Sequence, residues 1–123
     1  MITVDSGTAV PPYEQIRSQL NDRIRAGELA AGSRLPSIRQ LAGDLRVAAG
    51  TVARAYGQLE AAGLIESSRT HGTRVRPDQS LDDDIRRAAA RFVGVARRSS
   101  TDLGDALGLI RAEWAHRADS SGG

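Results

Sequence analysis

The sequence predicts a mainly α chain of the α+β class, with three helices closed by a small β-hairpin and two further helices behind it. Three observations carry that prediction. Apolar residues recur at helical spacing in five separate segments. A Ser-x-x-Gln box at Ser37–Gln40 and stop glycines at Gly27 and Gly63 punctuate the first three of them. Between Leu64 and Arg76 the pattern changes to short β-prone runs around Thr70-His71-Gly72.

Each element has its own local reason. Ile2 to Val4 fits either a short edge strand or a frayed end. Pro11 and Pro12 open the first helix, since proline suits a first turn. Tyr13, Ile16, Leu20 and Ile24 form one apolar stripe along it, and Gly27 ends it. Glu28 to Leu35 is a connection. Ser37 caps a short second helix that buries Ile38, Leu41, Ala42 and Leu45. Arg46 and Val47 make the turn. The third helix runs from about Ala49 to Ala62, with Val52, Ala55, Tyr56 and Leu59 inward and Thr51, Arg54 and Gln58 outward. Leu64–Arg69 and Thr73–Arg76 are the two strands. Pro77 to Ser80 links to a fourth helix capped by Ser80, with Asp82, Asp83 and Asp84 in its first turn and Arg97 and Arg98 in its last, the order that suits the helix dipole. A fifth helix starts near Thr101. Residues 1–78 thus form one unit, 79–118 a helical tail, and 119–123 a disordered end.

Composition excludes several classes. The 123 residues hold no Cys, so thiolate metal sites and disulfide frameworks are ruled out. No basic region precedes an apolar run at the start, and no segment approaches the roughly 20 apolar residues that span a bilayer. A cytoplasmic location is expected. The pI of 9.9 overstates the charge. Formal net charge is +2, and all 17 basic side chains are Arg, so little but Tyr titrates near pH 10. The excess lies before Gln79, where 10 Arg face 8 acidic residues; beyond it the count is 7 against 7. An enzyme is not expected. The two His have no nucleophile at a useful spacing, there is no phosphate-cradling glycine loop, and no cofactor motif is present. Consecutive Asp82, Asp83 and Asp84 point about 100° apart on a helix and serve its start better than a metal.

The order of parts is that of a winged helix-turn-helix, a module that reads DNA. A recognition helix needs an apolar face for its own domain and a polar face for the major groove. Arg54 and Gln58 meet the second need. Arg39 rides on the capped second helix. His71 and Gly72, flanked by Arg69 and Arg74, form a hairpin tip suited to the minor groove and nearby phosphates. Each residue alone also fits a plain surface role, and Arg54 also has Glu60 or Asp44 as ion-pair candidates. The aromatic rings of Tyr13, Tyr56 and Trp114 read as core or interface packing.

Four motifs carry a more specific resemblance: P-Y-E-Q-I-R-S-Q-L from Pro12, G-x-x-L-P-S-I-R-Q-L-A from Gly32, T-V-x-R-A-Y-x-x-L-E-A-x-G-L-I from Thr51, and H-G-T-R-V from His71. Pro11 to Arg76 resembles the DNA-binding domain of the GntR family of bacterial transcription regulators. The last two helices resemble the small dimerisation tail of its YtrA-type branch. The resemblance implies DNA contacts from Arg39, with Arg34 and Ser37 near the backbone, from Thr51 and Arg54, and from the His71-Gly72 wing. The chain departs from the family pattern at Ala48, where Ser or Thr is usual, and at Ala49 and Ala53, where Arg is common. Weaker or differently specified binding follows, with Arg39, Arg54 and the wing carrying more of the load.

The expected function is a sequence-specific transcriptional regulator, a repressor bound to a palindromic operator as a homodimer. Leu81, Ile85 and Phe92 on the fourth helix and Leu103, Leu107, Ile110 and Trp114 on the fifth repeat at heptad-like spacing and are the expected dimer seam. The partners are then double-stranded DNA and a second copy. An apolar crevice between the two parts is where a small effector would sit, though nothing chemical marks one. The alternatives are a winged-helix protein-interaction module and a sequence-tolerant DNA-binding protein.

Overall fold

A computed structural model of the chain describes residues 2–121, with side chains through Ala118. Among these the order is α1 (Pro12–Arg25), α2 (Ile38–Leu45), α3 (Ala49–Ala61), β1 (Ile65–Ser68), β2 (Gly72–Val75), α4 (Asp83–Arg98) and α5 (Leu103–Ser121). Two compact units divide between Leu81 and Asp82, slightly beyond the boundary expected after residue 78.

In the first unit the apolar stripes meet as predicted. Ile16, Leu20 and Ile24 of α1 pack with Val52, Ala55, Tyr56 and Leu59 of α3, and all are buried. Leu41 and Ala42 of α2 join them, and Leu64, Ile65 and Val75 seal the floor. Ile38 departs from the prediction. It sits in the first turn of α2, is 37% exposed, and lies outside the core. Tyr13 is only half-buried.

α1, α2, α3 and α4 all stop the same way. The residue after the last turn turns left-handed, and the next backbone N–H reaches back to close the helix. Gly27 and Gly63 take that conformation at φ 79° and 80°. Arg46 and Ser100 adopt it with a side chain, at φ 57° and 56°. At the α2–α3 turn, Val47 N–H donates to Ala42 C=O at 3.0 Å and Arg46 N–H to Gly43 C=O. This closure sets the angle between α2 and α3.

β1 and β2 pair antiparallel, Ile65 opposite Val75 through Ser68 opposite Gly72. The connection before α2 adds to them. Gly32 N–H bonds Val75 C=O, Val75 N–H bonds Ser33 C=O, and Leu35 N–H bonds Thr73 C=O, each within 2.9 Å. The stretch expected to be plain connection is therefore a third edge of the hairpin. Ile2 to Val4 is not a strand. Instead Gln19 grips both backbone groups of Thr3, and Gln15 holds Asp5 and Val10, so amide side chains do the work of a neighbouring strand.

In the second unit α4 begins two residues later than predicted. Asp82, not Ser80, caps it, accepting from Asp84 N–H at 2.8 Å. A carboxylate there both satisfies the free N–H and complements the dipole. Asp83 and Asp84 pair with Arg86 and Arg87 one turn on. Asp102 caps α5 through Asp105 N–H. α5 runs through Ser121, past the end expected at Ala118; Gly122 and Gly123 lie outside the described residues.

Two outcomes test this packing. Arg46→Gly removes the left-handed strain and should raise unfolding free energy by about 0.5 to 1 kcal/mol in a denaturant melt. Tyr56 is buried, and its hydroxyl donates to Pro36 C=O at 2.7 Å. Burial pushes that phenol from 10.0 up to about 12. The raised value means stability is whole below pH 10 and falls as pH climbs from 10 towards 12, by on the order of 2 to 3 kcal/mol. With no Lys or Cys titrating nearby, alkaline melts of Tyr56→Phe should start about 1 kcal/mol lower and lose most of that slope.

Candidate nucleic-acid interface

The α2 face is set by its cap. Ser37 Oγ accepts from Gln40 N–H at 3.1 Å and starts the helix, and its O–H stays available as a donor to a phosphate. Two residues on, Arg39 is exposed and has no ion pair or hydrogen bond among the described residues.

The outward face of α3 differs from the prediction. Thr51 and Gln58 flank it and are half-buried. Its centre holds Gly50, Arg54, Gly57 and Ala61, all exposed. Arg54 is the one long side chain among these four. It pairs with neither Glu60 nor Asp44; its Cζ lies 3.8 Å over the centre of the Tyr13 ring. A Cβ added to Gly50 or Gly57 would meet nothing within 4 Å, so the protein's own packing does not require glycine at either position. Each costs about 0.5 to 1 kcal/mol of helix stability relative to Ala. Ala48 precedes α3 with no side-chain cap, as its side chain dictates.

The wing is braced from within. Ser68 Oγ accepts from the N–H groups of Thr70 and His71 and folds the turn. Gly72 sits at φ 69°, with the Arg34 guanidinium so close that a Cβ there would come within 3.3 Å of its nitrogens. Arg74 donates to His71 C=O and Gly32 C=O, tying the tip to the third edge. Its Nε and Nη1 are therefore occupied in the free protein, unlike the exposed Arg69 and His71 at the tip.

The arginines divide by location. On α1 Arg17 pairs with Glu14, Arg23 with Glu28, and Arg25 bonds Gln79 C=O, while at the base of the hairpin Arg76 reaches Glu66. The Arg17 hydrogen bond holds the Glu14 carboxyl below its ordinary range. Arg34, Arg39, Arg46, Arg54 and Arg69 have no carboxylate partner among the described residues. All five lie on the α2–α3–wing side of the sequence. Unpaired guanidinium groups spaced over a helix-turn-helix and a wing are suited to phosphates and guanine edges.

Comparison with known proteins agrees. Residues 12–75 match the family model for bacterial regulatory proteins of the gntR family. HTH-type transcriptional regulator Rv1152 of Mycobacterium tuberculosis is 42% identical over 86% of this chain and 88% of its own length. The chain belongs to the gntR family. It is thus a winged helix-turn-helix transcription regulator and not an enzyme. HTH-type transcriptional repressor YtrA of Bacillus subtilis is 40% identical over 59% of this chain and 56% of its own length. Among solved structures, YtrA from Sulfolobus acidocaldarius, a GntR-family transcription factor, aligns at TM-score 0.59 and 33% identity, covering 81% of this chain and 98% of that one. The AraR DNA-binding domain in complex with operator ORR3 aligns at 0.51 and 26% identity over 58% of this chain and 87% of that one.

The gntR-type unit is followed by α4 and α5, whose apolar residues stay largely open. Between the two helices lies an apolar groove of about 880 Å³ that gathers Ile85, Phe92, Ile110 and Trp114 of the expected seam. Val93 and Leu109, which the heptad reading passed over, also line it. Leu103 and Leu107 are exposed outside it, and Leu81 falls in the first unit. Among the described residues no group of His, Asp or Glu is placed to hold a metal, and no helix is long and apolar enough to cross a membrane.

Gly57→Ala should raise the melting free energy by about 0.5 to 1 kcal/mol, because the added methyl enters open space. Ser37→Ala should lower it by about 1 kcal/mol through loss of the α2 cap.

Proposed function

We propose that this chain represses transcription in the cytoplasm by occupying a two-fold symmetric DNA site as a homodimer. The observation that carries the reading is the set of unpaired arginines on α2, α3 and the wing, in a unit whose other arginines are engaged. α3 enters the major groove with Arg54 as its one long central side chain. Gly50, Gly57 and Ala61 leave its backbone free to approach the base edges closely. Arg39 and Arg34 grip phosphates beside it, and Arg69, His71 and Gly72 follow the adjoining backbone or minor groove. Thr51 and Gln58 border the contact, and Arg74 chiefly holds the wing in shape. Two relatives support this reading: the AraR DNA-binding domain is solved in complex with an operator, and B. subtilis YtrA is named a repressor.

The open apolar surface of the tail supports a second copy. Ala106 is the one buried apolar residue described in the second unit, while Leu103 and Trp114 are 73% and 77% exposed and Ile85, Leu109 and Ile110 stand open beside the groove. Two helices with that much apolar surface in water call for a partner, and an identical pair supplies one by symmetry. Dimerisation sets two recognition helices about one turn of duplex apart, roughly 34 Å.

Selecting bound duplexes from a random pool tests the reading. A palindromic consensus should emerge, held at least about 10³-fold more tightly than unrelated DNA. With about eight phosphates contacted, log affinity should fall against log salt with a slope near −7, and Arg39→Ala should flatten that slope by about one. Ile110→Asp should yield a monomer by sedimentation and lose the palindrome preference. Binding to no duplex, with no salt dependence, points to a protein-interaction module instead. Equal affinity for all sequences points to a sequence-tolerant binder.

A further inference from the structure

We infer that Tyr13 of α1 is a positioning residue for DNA binding, holding Arg54 in the conformation in which it meets DNA; this rests on the DNA-binding reading above. Tyr13 begins the apolar stripe of α1, yet it is not in the core. The three stripe residues behind it, Ile16, Leu20 and Ile24, are buried, whereas Tyr13 stays half-exposed. Its ring instead lies beneath the Arg54 guanidinium, with Cζ 3.8 Å from the ring centre. Arg54 makes no other polar contact among the described residues. The carboxylates of its own helix and of α2 leave it alone.

That arrangement suits a recognition arginine. Cation–π attraction acts through the flat face of the guanidinium, and the N–H donors lie in its plane at the edge. The ring therefore fixes the side chain without using any donor that a phosphate or a guanine needs. A carboxylate partner would fix it too, but would occupy those donors and cancel the charge. A free arginine loses its rotamer freedom on binding; one already held by the ring loses less. The neighbours increase its importance. Gly50, Gly57 and Ala61 offer no side chain that reaches out, so Arg54 alone extends from the centre of the face. α1 thus contributes to specificity without touching a base.

The test uses the full chain and a duplex selected by the wild-type protein from a random pool. Tyr13→Leu should weaken binding about 3- to 10-fold, while Tyr13→Phe, which keeps the ring, should bind as wild type does. In an Arg54→Ala background, Tyr13→Leu should change affinity no further. The Arg54 side-chain protons should be shifted upfield by the ring in NMR spectra of the free protein, and return to ordinary positions in Tyr13→Leu. A purely structural Tyr13 predicts equal losses in both backgrounds, and that result overturns the inference. So does wild-type affinity in Tyr13→Leu. If the wild type selects no duplex, the DNA-binding reading fails and takes this inference with it; the ring-shift result then still reports whether the contact exists.

Discussion

Val52, Ala55, Tyr56 and Leu59 are almost wholly withdrawn from water, and that burial fixes how α3 is rotated about its axis. Four residues spaced over two turns against Ile16, Leu20 and Ile24 admit one orientation. Truncating any of the larger ones would cost roughly 2 to 5 kcal/mol, a large share of what a domain of this size has. The same constraint turns Gly50, Arg54 and Gly57 to the opposite side. Tyr56 adds a directional tie, since its hydroxyl holds the Pro36 carbonyl at the entrance to α2. The core thus sets both helices of the reading head at once, and the left-handed Arg46 closes the angle between them.

Electrostatics then decides what that head can bind. A net charge of +2 is weak evidence for nucleic acid. What matters is which guanidinium groups are already neutralised. Glu14 and Glu28 engage arginines of α1, and Glu66 engages Arg76 at the base of the hairpin. Exposed pairs of this kind contribute little to stability, about 0 to 1 kcal/mol. With those pairs formed, the side chains of Arg34, Arg39, Arg46, Arg54 and Arg69 stay without an ion pair or hydrogen bond among the described residues. The wing itself is held from its own side, through Arg74 and the third edge at Gly32–Leu35.

Much of this is legible in the chain, because helix starts, stops and apolar stripes are local. Ser37, Gly27, Gly63 and the inward set on α3 all read correctly from spacing alone. Most of the misreadings come from a partner distant in sequence or from a competing local acceptor. The third edge of the hairpin needs Val75, some 40 residues away, and no periodicity announces it. Tyr13 reads as core because it stands in register with Ile16, but only the fold places Arg54 above it. Ser80 is an acceptable cap, yet Asp82, with a charge as well as an oxygen, takes the role. Ile38 fits the stripe by spacing, yet in the first turn of α2 it stays 37% exposed. Within the candidate interface the arginines are legible as residues; their lack of carboxylate partners is not, because pairing is a property of the folded surface.

The most direct test puts a negative charge on the outward face without touching the core. Gly50 lies in the first turn of α3, exposed, with open space where a side chain would begin. Gly50→Glu should melt at the wild-type temperature or above it, since it gains helix propensity and a favourable dipole contact. Its affinity for the selected duplex should fall on the order of 100-fold, through like-charge repulsion against the phosphates. A stable Gly50→Glu protein that binds that duplex as tightly as wild type at the same salt would contradict the placement of this face against DNA.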